Sequence, residues 1–300
     1  MSVPAAYLAV ILIWSTTPLA VKWSSEGPGF LFGALGRMAL AAVLCLTLVA
    51  VLRLGLPWHR DARRTYFSGA LGLYGAMLCI YWAAQYVPSG WIAVLFGLSP
   101  LVTALLARPL LGERGLSAAF AFGMFLALLG LGVIFGAGLT IGSHTTQGLI
   151  GLLVGVLLQS LSMVLVKRFG EALPSLSVSA GSLLIAAPLF LITWLVFDRH
   201  IPQLPTRALA SILYLGVVGS VIGFTLFFYL LKHVTANTTA LITLITPVLA
   251  LLLGAAINHE SVSLRIWAGT ALVLSGLALH QWGGLLARVI PIRVGRRGQQ

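Results

Sequence analysis

Ten apolar runs, each long enough to cross a bilayer, follow one another along this chain with almost no charge inside them. A hydrocarbon core of roughly 30 Å is crossed by about 20 apolar residues in a helix. Only helices and closed barrels satisfy their backbone there, and these runs are too continuous for the alternating pattern of barrel strands. They predict helices over about 3–23, 29–54, 66–86, 89–111, 117–136, 147–169, 175–197, 207–231, 235–257 and 264–286. Short connections rich in Gly, Pro and charge separate them, such as Glu26-Gly27-Pro28-Gly29. Of the 300 residues, 59% are hydrophobic and only 8% are charged, against about 25% charged in a soluble domain.

The net charge of +12 does not point to nucleic acid, because the basic residues lie between apolar runs and in a tail rather than on one face. They set orientation instead. With the N-terminus in the cytoplasm, the inner segments carry Arg53, Arg60, Arg63, Arg64, Arg108, Arg114, Lys167, Arg168, Lys232, Arg288, Arg293, Arg296 and Arg297. The outer segments carry only Lys22, Arg199, Arg207 and Arg265. Thirteen against four predicts that both termini are cytoplasmic. Cys45 and Cys79 lie inside apolar runs and read as packed small residues, not as a disulfide. The first apolar run has no basic stretch before it and reads as a span, not a cleaved leader.

The chain repeats itself. At a shift of 147, Val87 aligns with Val234, Pro100 with Pro247 and Glu113 with Glu260. At 146, Gly123 meets Gly269 and Gly130 meets Gly276; at 145, Ser15 meets Ser160 and Lys22 meets Lys167. Two five-helix units are therefore expected, over 1–140 and 146–286, followed by a basic cytoplasmic tail at 287–300. Because five is odd, the second unit enters the membrane in the opposite sense. Such inverted repeats serve alternating access, with the site at the seam of the halves.

The ordered motifs that carry this duplication resemble EamA-type transporters of the drug/metabolite transporter (DMT) superfamily. Residues 11–23 (ILIWSTTPLAVKW) resemble the family's first-helix signature, and residues 35–46 (LGRMALAAVLCL) its second-helix arginine and small residues. The fourth-helix proline, Gly112-Glu113-Arg114 and the glycine-spaced fifth helix match as well. The second half departs at Asn258-His259-Glu260, where the family pattern has Gly-Glu. The resemblance implies ten helices, cytoplasmic ends, a multi-pass protein of the bacterial inner membrane, a central cavity and export of metabolites. The nearest branch in character is that of YddG-type aromatic amino acid exporters.

The residues narrow the chemistry. All six carboxylates, Glu26, Asp61, Glu113, Glu171, Asp198 and Glu260, fall at helix ends or in loops. With no carboxylate at mid-membrane, facilitative transport of neutral or zwitterionic solutes is expected. A proton-coupled multidrug or metabolite efflux carrier is the alternative. Arg37 is the one cationic candidate within the spans for a phosphate-bearing substrate, and a structural role, as partner to a helix end or a nearby carboxylate, is weighed above it. The expected cavity lining is Trp14, Ser15, Thr17, Tyr81, Trp82, Phe96, Ser99, Gln159, Ser162, Phe228, Thr243 and Thr246, aromatic rings beside uncharged hydrogen-bonding groups. Against this stands the habit of Ser and Thr in spanning helices of bonding their own backbone. Pro18, Pro100 and Pro247 are expected hinges. Lys22 with Glu260 on the outer face, and Lys167 with Glu113 on the inner, are expected alternate gate contacts between the halves. A competing role for each Glu is to support the start of the helix that follows it.

No metal or cofactor is expected. An intramembrane enzyme would need a nucleophile and base at depth, and Ser179-Ala180-Gly181-Ser182 has no histidine at matching depth. The expected partners are a small-molecule substrate and lipid, with a monomer sufficient for function.

Overall fold

The computed structural model describes residues 2–112, 118–141, 143–170, 173–200, 202–223, 226, 230 and 236–289. Side chains at 118–119, 135–141, 143, 236–241, 243–244 and 280–289 lie outside that description. Every regular element among the described residues is helical. In chain order these are α1 (Val3–Ser25), α2 (Phe30–Val51), α3 (Arg60–Ala83), α4 (Ser89–Leu111), α5 (Ala118–Ile141), α6 (Ser143–Phe169), α7 (Ser175–Phe197), α8 (Thr206–Ile222), α9 (Ala236–Asn258) and α10 (Leu264–Val289). Six have the length and apolarity to cross a membrane: α1, α2, α3, α4, α6 and α7. The others contribute shorter apolar stretches. The side chains of Val43, Phe122, Phe125, Leu128, Ile192 and Val196 stand exposed around the outside. A surface of that kind belongs in lipid, so the fold is that of a polytopic helical membrane protein.

Two features depart most from the hydropathy reading. α3 begins at Arg60, six residues before the expected start. His59 caps it, accepting from the Ala62 N–H at 3.4 Å, and Asp61 sits in the first turn where the helix dipole favours an anion. Charge hid this turn from hydropathy, which reports on lipid and not on backbone hydrogen bonding. The expected span at 89–111 is interrupted: one segment runs Ser89–Phe96, and a second starts at Ser99 after a turn at Gly97-Leu98. Pro100 thus occupies the first turn of the second segment, where a missing N–H costs no helical bond. Pro18 and Pro247 lie within α1 and α9 and are buried. Pro109 and Pro188 also lie inside helices, in α4 and α7.

The middles of α3 and α8 widen into π-helix, at Leu71–Ala76 and Leu215–Ile222. Both wide stretches are glycine-bearing and receive another helix. Gln159 and Ser162 of α6 press on Gly72. Thr17 of α1 approaches Gly219, and Trp14 and Ile13 approach Gly223.

Helix neighbours come in matched sets. α6 packs on α3 and α4, and α1 packs on α8 and α9; α3 meets α7 as α8 meets α2. Exchanging every helix with the one five places along the chain turns each of these pairings into another. α2 with α7 and α5 with α10 map onto themselves.

The α5–α10 contact runs backbone to backbone. A Cβ on Gly130 would stand 2.5 Å from the Gly269 carbonyl oxygen, and one on Gly269 2.9 Å from that of Gly130. About two turns away, a Cβ on Gly276 would meet the Gly123 carbonyl at 2.3 Å. These are the glycines that the repeat aligns, Gly123 with Gly269 and Gly130 with Gly276, and each packs on a member of the other aligned pair. Small residues of this kind let helices close up where lipid supplies no hydrophobic drive.

Candidate functional site

At the end of the bundle that the charge bias assigns to the outside, α1, α4 and α9 converge. The end of α9 sets the geometry. His259 adopts left-handed backbone (φ 52°), and the Glu260 N–H donates back to the Gly254 carbonyl at 3.1 Å. The chain turns inward, and the Glu260 side chain ends only 7% exposed. Its carboxylate is met from three sides. Lys22 Nζ of α1 lies 3.5 Å from Oε1, Asn258 Nδ2 donates to Oε1 at 2.9 Å, and Ser89 Oγ donates to Oε2 at 2.9 Å. Lys22 also reaches the Val87 carbonyl at 3.4 Å, and Trp23 Nε1 donates to Asn258 Oδ1 at 3.0 Å. The structure therefore brings Lys22 and Glu260 together, across the seam between residues of the first and second halves.

Burial pushes the Glu260 carboxyl upward. The Ser89 N–H, the Asn258 amide, Lys22 and the Ser89 hydroxyl together outweigh it and hold the group below its ordinary value. Ser89 opens α4, so the carboxylate sits at the start of that helix and not at the start of α10. Asn258, Ser89 and Trp23 escaped the sequence reading. The only signal for Trp23 and Asn258 was their nearness in sequence to an aligned charge, and Ser89 had none.

Its inner counterpart falls partly outside the described residues, because Glu113 is not among them; Lys167 is exposed near the end of α6. At that end a hollow of about 400 Å³ is lined by Arg60, Arg63, Arg64, Phe67, Ser68 and Phe169.

The expected lining residues divide into groups. Ser15, Thr17 and Thr246 turn their hydroxyls onto carbonyls one turn back in their own helices, those of Ile11, Ile13 and Ile242. Trp82 packs on Gly151 of α6 and stands edge-on to Tyr86 at 5.3 Å. Phe96 packs at the edge of the main core, and Trp14 against a smaller cluster with Val10, Ile11 and Leu230. Phe228 and the side chain of Thr243 lie outside the described residues.

The remaining group carries buried polar atoms that have no hydrogen-bond partner among the described residues: Tyr81 Oη, Ser99 Oγ and Gln159 Oε1. Thr103 Oγ1, one turn beyond Ser99 and missed in the sequence, joins them. Ser160 Oγ donates to the Ser99 carbonyl at 3.3 Å, which ties α6 to α4 at this level. An uncompensated buried polar atom costs about 1–3 kcal/mol, so a run of them marks an interior suited to water or a solute.

Comparison with known proteins gives this arrangement a family. The model of the EamA-like transporter family matches twice, over residues 3–136 and 146–280. An uncharacterized transporter of Bacillus subtilis, YoaV, is 26% identical over 91% of this chain and 94% of its own length. A probable terminal-alkyne amino-acid exporter of Streptantibioticus cattleyicolor is 28% identical over 81% of each chain. A solved crystal structure superposes with a TM-score of 0.66, covering 96% of this chain and 99% of the other at 23% identity, a likeness of fold. Matched along both halves, this multi-pass membrane protein belongs to the EamA-like transporter family.

Proposed function

We propose that this transporter exports small organic metabolites, amino acids including aromatic ones, from the cytoplasm of a bacterium across its inner membrane. Ten spans in two inverted five-helix units, 1–140 and 146–286, enclose an uncharged cavity at their seam, and both termini and the 287–300 tail face the cytoplasm. Transport is facilitative and proceeds by alternating access in a monomer.

The observation that carries this reading is the ion pair across the seam. Lys22 and Glu260 come from different halves, meet at one end of the bundle, and gather Ser89 and Asn258 around them. A contact of that kind closes one mouth. When the halves rock, it breaks and the Lys167–Glu113 contact forms at the other mouth. The matched helix pairings and the two π-helical stretches support the repeat. The unsatisfied Tyr81, Ser99, Thr103 and Gln159 support a polar interior between the mouths. Gln159, Ser162, Tyr81, Ser99 and Phe96 are the lining residues best placed for solute. The amino-acid class rests on the charge-poor interior and on the distant relative named as an exporter of such compounds.

The test is flux into liposomes holding only this protein, with a panel of amino acids and cationic drugs, with and without an imposed pH gradient. Gradient-independent amino acid flux is expected. Acceleration by the gradient favours the proton-coupled alternative, and no flux of any solute removes the transport reading for this panel.

A further inference from the structure

Arg37 of α2 is buried to 3% exposure and is the one charged residue among the buried described residues. Its Nε donates to Ser220 Oγ at 3.2 Å, and that hydroxyl donates in turn to the Leu215 carbonyl in the π-helical stretch of α8. Nη1 has no partner, and no carboxylate pairs with the guanidinium among the described residues. A buried cation without an anion is expensive, so a fold keeps one only where something offsets the cost.

The space beside it is also suggestive. A Cβ built on Gly219 would lie 3.9 Å from Arg37 Nη2 and 3.8 Å from Thr17 Oγ1. The missing side chain thus leaves a gap of ordinary contact dimensions between the guanidinium and the Thr17 hydroxyl, at the junction of α1, α2 and α8. Thr17 lies five residues before Lys22 along α1, so the gap is about 8 Å beneath the ion pair.

We infer that Arg37 is the carboxylate-binding residue of the transport pathway, and that the transported solutes bear a carboxylate. The guanidinium presents two N–H groups to a planar anion. Ser220 holds Nε, which leaves Nη1 and Nη2, the latter beside the methyl-sized space at Gly219, to donate to the solute. The proposal rests on the transport reading and names the substrate class of that site.

The experiment compares phenylalanine with phenylalaninamide, which keeps the ring and the amine but lacks the carboxylate. Binding to the purified full chain in detergent is read as ligand-induced thermal stabilisation, and flux is read in liposomes. The variants are Arg37→Met, Arg37→Lys and Gly219→Ala. Wild-type protein is expected to prefer the acid. Arg37→Met loses that preference by tenfold or more and leaves amide flux in place. Gly219→Ala weakens the acid without removing the charge, and Arg37→Lys retains part of the preference.

A merely structural arginine predicts a lower melting temperature for ligand-free Arg37→Met. The carboxylate role predicts an equal or higher one, because an unpaired buried charge is removed. Equal handling of acid and amide by wild type overturns the inference alone, as does an unchanged preference in Arg37→Met. Absence of both binding and flux in wild type overturns the inference and the transport reading together. Binding of the acid that depends on Arg37 but comes without flux keeps the carboxylate site and overturns its place in a transport pathway.

Discussion

Replacing Glu260 by Gln tests the closed mouth most directly. The substitution keeps a side chain of the same length whose single amide oxygen can accept from either Ser89 or Asn258, and removes the charge facing Lys22 together with one acceptor. At the observed 3.5 Å and an effective dielectric near 20, the Coulomb attraction amounts to roughly 5 kcal/mol. Lys22 is 27% exposed, and solvent screening together with the residual hydrogen bonds leaves about 1–3 kcal/mol as the differential effect. If the contact exists in only one of two states, that amount shifts their ratio by about five- to 150-fold. The assay places a single cysteine at Ser99, in a background where Cys45 and Cys79 are Ala, and follows labelling by an impermeant thiol reagent applied to whole cells from outside. Labelling is expected to accelerate by tenfold or more in Glu260→Gln, and to a similar degree in Lys22→Met. The double variant is expected to add little beyond either single one, because both remove the same pair. Equal labelling rates in wild type and Glu260→Gln would refute the gate. Exchanging the two charges is a weaker test, because a lysine at 260 would face the positive end of α4.

Three further outcomes follow from the same geometry. Gly254→Ala would place a methyl 2.5 Å from Glu260 Oε2 and 3.0 Å from Ser89 Oγ; it should loosen the mouth as Glu260→Gln does, with the melting temperature nearly unchanged, since flexible side-chain atoms give way. Gly276→Ala should lower thermal stability by about 1–3 kcal/mol, because its new methyl would meet the backbone of Gly123 and Ala127; an unchanged melting curve would contradict the close crossing. The Glu260 carboxyl is held below its ordinary value, so its stabilisation of the closed mouth is complete above that value and disappears only as pH falls through the lowered one. Normalised at each pH to an exposed reference cysteine, because the thiolate is the reacting form, labelling rates should therefore stay flat from neutral pH down to about pH 5, whereas a rise in that interval would assign Glu260 a proton-carrying role.

The residues legible in the sequence were those fixed by spacing and scarcity. Few charges and an aligned register were enough to bring Lys22 and Glu260 into one frame, and the aligned glycines of the fifth and tenth spans are the ones that cross. Partners recruited by chain direction were not legible. Asn258 and Ser89 reach the carboxylate only because His259 reverses the backbone, and hydropathy has no information on that turn. The widened turns of α3 and α8 were equally silent, since a π-helix differs from an α-helix in backbone pairing and not in apolar content. The break at Gly97-Leu98 was hidden by an unbroken apolar composition. Among the uncharged residues, composition could not separate hydroxyls that close on their own helix, such as Thr17 and Ser15, from those left open, such as Ser99.

The reciprocal crossing of α5 and α10 has a mechanical corollary. Two similar bodies that exchange shapes leave one line in place, and a contact that maps onto itself, as α5 with α10 does, straddles that line. A covalent clamp between cysteines near Gly130 and Gly269 should leave turnover running, while the same clamp across the Lys22–Glu260 mouth should stop it, as a bolt through a hinge differs from a bolt through the door.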